Sequence, residues 1–164
     1  PGTPILQADG LQLPFAPGTF HQVYAMDVIE HVPDDTRFAH SISSMLAPGG
    51  SLFLSTPSLA IRLNPPFLTR WISLQWGHTL RLGYTAERLE ELFGDELEVK
   101  VTTWNAPGYR FWYLPIRFFS ALAPHWAARW VRRIARSDSQ RRSGIHGFMI
   151  LEGRKPEVVM ANPD

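Results

Sequence analysis

Between Phe20 and Thr56 the chain alternates a β-prone run, a helical run and a second β-prone run, with connections only a few residues long. Phe20 to Met26 reads as a mostly buried strand. Asp34, after Pro33, is a fitting N-cap for a helix reaching about Leu46, because Phe38, Ile42, Met45 and Leu46 recur at helical spacing. Ala47-Pro48-Gly49-Gly50 stops that helix, and Ser51 to Thr56 reads as the next strand. Strand, helix, strand with short joints is the grammar of a parallel α/β sheet, since a parallel pair needs a crossover. Ile5-Leu6-Gln7-Ala8 reads as a short earlier strand. Leu97–Trp104 and Ile145–Gly153 read as two later ones. Helices are predicted over Phe67–Trp76 and from Thr85, as cap, through Phe93 to a stop at Gly94.

The 164 residues fit one domain with a sizeable core. A formal net charge of +1 argues against a nucleic-acid binder, which carries a basic excess. The absence of cysteine excludes disulfides, thiolate zinc sites and cysteine nucleophiles, and fits a cytoplasmic setting. No apolar run is long enough to span a bilayer. The chain begins at Pro1 with no signal-peptide pattern, which reads as a truncation.

Three segments carry a common pattern. They are Gln7-Ala8-Asp9-Gly10-Leu11-Gln12-Leu13-Pro14-Phe15, Val23–Val32 (VYAMDVIEHV), and Met45–Pro57 (MLAPGGSLFLSTP). Gly77-His78 with Gly83-Tyr84-Thr85 and Leu89 forms a fourth. In this order and spacing they resemble class I S-adenosylmethionine (SAM)-dependent methyltransferases of the bacterial small-molecule type. The resemblance covers most of residues 3–104 and 145–155. It implies a Rossmann-like sheet of strand order 3-2-1-4-5-7-6, in which this chain holds strand three onward and lacks the first two strands. The expected domain is therefore a partial methyltransferase domain over 1–155, with a helical insertion at 105–144 and a disordered tail at 156–164. The first strand would have no neighbour, and the strand at Phe20 would be an open edge.

The same resemblance implies SAM as cofactor and a small-molecule substrate as partner. Asp9 would accept from the adenine amino group, Gly10 and Leu11 would meet the ring edge, and Met26 and Asp27 would line the methionine part. The residue-level alternative is that Asp9 only caps a turn and Asp27 only shapes a strand end. His78 is the candidate general base, because its unperturbed pKa lies near neutrality, and Tyr84 is the candidate for orienting the acceptor. Glu30-His31 helps hold a metal in some branches of the family. No further ligand is identifiable from the sequence, so no metal site is expected and the pair is read as structural. No G-x-G-x-G occurs in these residues, so the chain alone is expected to bind SAM weakly and to be inactive.

From Arg110 to Arg142 eight arginines face a single acid, Asp138. Pro115 and Pro124 are expected to divide this aromatic stretch. Over its second half Trp126, Ala127, Trp130, Val131 and Ile134 share one helical arc, while His125, Arg129, Arg132, Arg133 and Arg136 share the opposite one. One reading is a lid helix packed on the sheet with a solvated basic face. The other is a peripheral membrane contact through 110–136, implying a hydrophobic or lipid-linked acceptor. Methyl transfer to a small molecule is the expected activity. The alternatives are a non-catalytic remnant or a membrane-peripheral interaction module, which the upstream reading frame and vesicle binding discriminate.

Overall fold

The computed structural model describes residues 2, 4–63, 65–104, 107–138 and 147–157. Four strands, β1 (Phe20–Met26), β2 (Leu46–Pro57), β3 (Glu98–Trp104) and β4 (Phe148–Arg154), form one sheet of order β1-β2-β4-β3. β1 and β2 are parallel, whereas β4 runs antiparallel to both β2 and β3. This is the 4-5-7-6 half of the expected strand order.

The crossover between β1 and β2 is α1 (Asp35–Met45). Asp34 caps it by accepting from the Arg37 N–H at 2.9 Å. Its buried face, Phe38, Ala39, Ile42 and Met45, covers the sheet core around Leu52, Leu54 and Leu151. The expected turn at 47–50 is the start of β2, and position 50 there admits only glycine. A Cβ there would sit 2.8 Å from the Ala47 carbonyl and 3.2 Å from those of Phe20 and His21. After β2 come α2 (Thr69–Gln75) and α3 (Ala86–Phe93), the latter capped by Thr85, which accepts from Arg88 N–H at 3.3 Å.

Three expectations are corrected. Ile5 to Ala8 forms no strand: Ile5 is 95% exposed, and among the described residues no strand pairs with this segment to take its backbone hydrogen bonds. β1 is accordingly an edge, with Tyr24 and Met26 exposed. Pro115 does not divide the insertion, because α4 (Pro107–Leu122) runs through it, and only Pro124, at the first residue of α5 (Pro124–Asp138), separates two helices. Nor does α5 pack flat on the sheet. It packs on α4, burying Ala127 and stacking Trp130 on Trp112 at 4.8 Å. Among the described residues the hairpin meets the sheet at its base, where Ile116, Val131 and Ile134 approach Trp104 and Phe148. Residues 145–146 of the last expected strand, 105–106 and 139–144 of the insertion, and 158–164 of the tail lie outside the described residues. Lys155 still exchanges backbone bonds with Gly49 and Gly50, and Glu157 pairs with Arg154 at 3.6 Å.

Candidate functional site

In a parallel α/β sheet ligands gather where the strands end and the chain leaves for its crossover. The C-terminal ends of β1 and β2 bring Asp27 beside Ser55. Asp27 has φ of 51°, a left-handed conformation uncommon outside glycine. It is held there twice over. Its N–H donates to the Ser55 carbonyl at 3.0 Å, and its Oδ1 accepts from the Ser55 hydroxyl at 2.9 Å. Strain fastened in this way at a strand end is typical of a functional position. Met26, next to it, is 53% exposed and unhindered at the edge.

Directly after Asp27 the chain turns through a short 3-10 segment, Ile29–His31. Glu30 is wholly buried. Its Oε2 accepts from the Thr56 hydroxyl at 3.0 Å, and its Oε1 has no partner. Burial pushes the carboxyl pKa up, against the lowering effect of backbone and Thr56 hydrogen bonds. The unpartnered oxygen faces two imidazoles, with His31 Nε2 and His78 Nε2 each 3.9 Å away. His78 reaches this place from the loop after α2 and is itself buried, with Nδ1 unpartnered. Burial, with His31 next to it, holds its pKa below the usual value, so the ring is neutral near pH 7.

The tautomer of His31 follows from its neighbour. Its Nδ1 lies 3.2 Å from the Gly77 carbonyl, and a carbonyl only accepts, so the neutral ring carries its proton there. Nε2 then presents a lone pair toward Glu30 Oε1. Glu30, His31 and His78 thus offer three ligand atoms within 4.8 Å of one another. Oxygen and nitrogen at about 2.0–2.2 Å from a zinc-like ion stand about 3.4 Å apart, so a small closure completes the set. The sequence offered no further ligand beside the Glu30-His31 pair, and the structure sets a third candidate next to it. The missing third ligand is His78, in a loop whose Gly77 is 46 residues beyond His31 and invisible to any local spacing rule.

The loop is clamped in register. Arg81 donates to the carbonyls of Val32 (2.5 Å) and Pro33 (3.1 Å), and its Nε lies 3.4 Å from Asp35. Tyr84 pairs with the end of β2 through Pro57 and Leu59. Its hydroxyl lies within 3.2 Å of the Ile29 carbonyl and 3.3 Å of Asp35, and burial beside that carboxylate drives its pKa far up. The structure therefore puts Tyr84 behind the histidine cluster, against the backbone that carries Glu30. Asp9 stands apart at the exposed N-terminal segment. Its Oδ1 accepts from Leu11 N–H at 2.9 Å, and its carbonyl accepts from Gln12 N–H at 3.0 Å. That is an Asx turn around Gly10, whose Cα packs near the Phe38 ring. Ser55 and Thr56, which fix Asp27 and Glu30, had no signal in the sequence beyond being hydroxyls at a strand end.

The sheet order is that of one half of a Rossmann-like class I methyltransferase fold. Residues 1–54 match the family model described as a methyltransferase domain. The ubiquinone biosynthesis O-methyltransferase of Xanthomonas euvesicatoria pv. vesicatoria is 52% identical over 40 residues, which are 24% of this chain and 17% of that protein. The match therefore spans under a fifth of the relative's length. Among solved structures, phosphoethanolamine N-methyltransferase 2 of Haemonchus contortus, in complex with SAM, superposes with a TM-score of 0.58 at 15% identity, over 91% of this chain and 36% of that one. The [4+2]-cyclase SpnF superposes with a TM-score of 0.57 at 22% identity, over 92% and 56%. At these identities both likenesses concern the fold.

Proposed function

We propose that this chain supplies the acceptor-side part of an enzyme that transfers a methyl group from SAM to a small-molecule acceptor. The observation that carries the reading is the strained Asp27 fastened to Ser55 at the strand ends, with the Glu30–His31–His78 cluster immediately behind it. Asp9, Gly10 and Leu11 would bind the adenine, with Met26 and Asp27 lining the methionine part, as the resemblance implies. The acceptor's lone pair attacks the methyl carbon, the carbon–sulfur bond breaks, and S-adenosylhomocysteine leaves as a neutral thioether. SAM brings its own electrophile, so the protein binds, orients and handles the acceptor's proton. With no cation bound, His78, buried and neutral, would take that proton. Tyr84 positions the Ile29–Glu30 backbone rather than the acceptor itself. When bound by Glu30, His31 and His78, a divalent cation would polarise an acceptor hydroxyl and ease its deprotonation. An oxygen acceptor is the one this donor set favours.

A hydrophobic or lipid-linked acceptor is favoured by the aromatic hairpin. Tyr113 of α4 accepts from Trp76 Nε1 at 2.8 Å, and the Trp76 ring packs 5.7 Å from His78, so apolar surface runs up to the cluster. The test joins the upstream reading frame to an assay. A glycine-rich loop encoded upstream, and tritium transfer from methyl-labelled SAM to phenolic acceptors by the product of that frame, support the reading. A frame without the loop, or no labelled product from phenols, amines or carboxylates, favours the non-catalytic module instead.

A further inference from the structure

The hairpin tip gathers large apolar side chains on an open surface. Every side chain from Arg117 to Leu122, and again from Pro124 to Trp126, is exposed. Phe118 stands 66% exposed, Leu122 69% and Trp126 71%. A soluble surface seldom gathers large apolar side chains in this way without a partner. Behind the tip, Phe119, Trp126 and Trp130 line a groove of about 600 Å³. That volume is within the ~300–1,000 Å³ usual for small-molecule sites. Its walls are apolar and its rim is cationic, formed by Arg129 and Arg133.

Charge chooses the partner. Six arginines lie between Pro107 and Asp138, and Asp138, the only acid there, is buried and accepts from Gly108 N–H at 3.1 Å. Among the described residues no carboxylate pairs with Arg129, Arg132 or Arg133. Arg129 lies over the Trp126 ring at 5.4 Å, so cation and aromatic approach the same plane. A second copy of this hairpin would set arginines against arginines, which disfavours self-association. Among the described residues no helix is long and apolar enough to cross a membrane. Aromatics that enter an interface, arginines that stay at headgroup level, and an apolar groove open beside them fit one surface.

We propose that the α4–α5 hairpin docks on an anionic lipid bilayer, with Phe118, Leu122 and Trp126 entering the interface and the groove taking an acyl chain beneath a headgroup held by Arg129 and Arg133. The docking stands on the hairpin alone and holds whether or not the strand-end cluster transfers methyl groups.

The experiment is co-sedimentation of the whole chain with phosphatidylcholine vesicles and with vesicles containing phosphatidylglycerol. The protein is expected to bind the anionic vesicles and to be released as salt shortens the Debye length from about 10 Å at 0.1 M to about 3 Å at 1 M. Arg129→Gln/Arg133→Gln is expected to weaken partitioning about thirty-fold, at about five-fold for each arginine withdrawn from a negative surface. Trp126→Ala tests insertion separately. All three side chains face solvent or the groove rather than the core, and circular dichroism checks that each variant folds. Competition by millimolar inorganic phosphate, with vesicle binding abolished, would point to a phosphate site and overturn bilayer docking. So would equal binding to neutral vesicles, an undiminished double variant, or a stable dimer that the Trp126 variant dissolves.

Discussion

Replacing Glu30 by glutamine is expected to stabilise the metal-free protein and to abolish its response to divalent cations. The buried carboxylate leaves Oε1 unpartnered, opposite the lone pair of His31 Nε2. A buried acceptor without a hydrogen bond costs about 1–3 kcal/mol, and more when ionised. The amide keeps an oxygen for the Thr56 hydroxyl and puts a donor where Oε1 faced the imidazoles. For a chain of 164 residues, each kcal/mol moves the midpoint by about 2–4 °C. The glutamine variant should therefore melt roughly 2–12 °C higher in EDTA at pH 7.5. A cation at about a hundred times its dissociation constant adds about 2.7 kcal/mol to the wild type, or roughly 5–11 °C, and nothing to the variant.

The dependence on pH gives this prediction a second edge. The folded pKa of Glu30 is raised above 4.5, so the native state holds its proton more tightly than the unfolded chain. Its contribution is complete below pH 4.5 and drains away as pH rises through the folded value. The advantage of the glutamine variant must grow over that interval and then level off. His78 acts at the other flank. Its pKa is lowered from 6.5, so stability falls as pH drops below 6.5, in both proteins alike. Differential scanning fluorimetry from pH 4 to 8, with EDTA and then with Mg²⁺, Mn²⁺ or Zn²⁺, reads all of this. A variant less stable than wild type in EDTA at pH 7.5, or one shifted equally by metal, refutes the reasoning.

Arg81→Ala removes the clamp on the His78 loop and is expected to weaken cation binding about 10–100-fold, as loss of an outer support to a ligand does, in a competition titration with a chromophoric chelator. Tyr84→Phe deletes a buried hydroxyl whose contacts are long, 3.2 and 3.3 Å, and should cost about 0.5–1.5 kcal/mol in urea unfolding, with cation affinity kept within a few-fold. Gly108→Ala places a Cβ 2.9 Å from Asp138 Oδ1 and disturbs the bond that closes the base of the hairpin. It should speed amide exchange in α4 and α5 and leave the sheet protected.

The strand–helix–strand unit was legible because each device in it is local: Asp34 three residues before the N–H it caps, and Gly50 where two carbonyls of β1 crowd the turn. The strand at Ile5 misled for a non-local reason. Its residues have β propensity, but a strand exists only beside another, and propensity cannot say whether a partner is present. Pro115 misled because a helix held by its neighbour, here through Trp112 on Trp130, tolerates one lost hydrogen bond. At the strand ends the sequence singled out Glu30, His31 and His78 one by one, while their grouping was hidden. Glu30 and His31 are adjacent in sequence, but what makes them a candidate metal centre is His78, brought in by a loop whose register depends on Arg81 and Gly77.

The cluster and the hairpin are joined by one residue, Trp76. Its ring edge meets His78 on one side and Tyr113 at 5.2 Å on the other, and its N–H is held by the Tyr113 hydroxyl. A movement of α4 on a bilayer therefore has a direct path to the position of His78 through packed rings rather than through solvent. Such a path becomes a coupling only if lipid and cation each prefer the same arrangement of Trp76, and the coupling is then reciprocal. Anionic vesicles would tighten cation binding by the same factor as the cation tightens vesicle binding. Trp76→Phe keeps a ring between His78 and α4 but removes the hydrogen bond to Tyr113. It should leave both binding events in place and bring that shared factor toward one, whereas a factor unchanged in the variant would show that the two sites act independently.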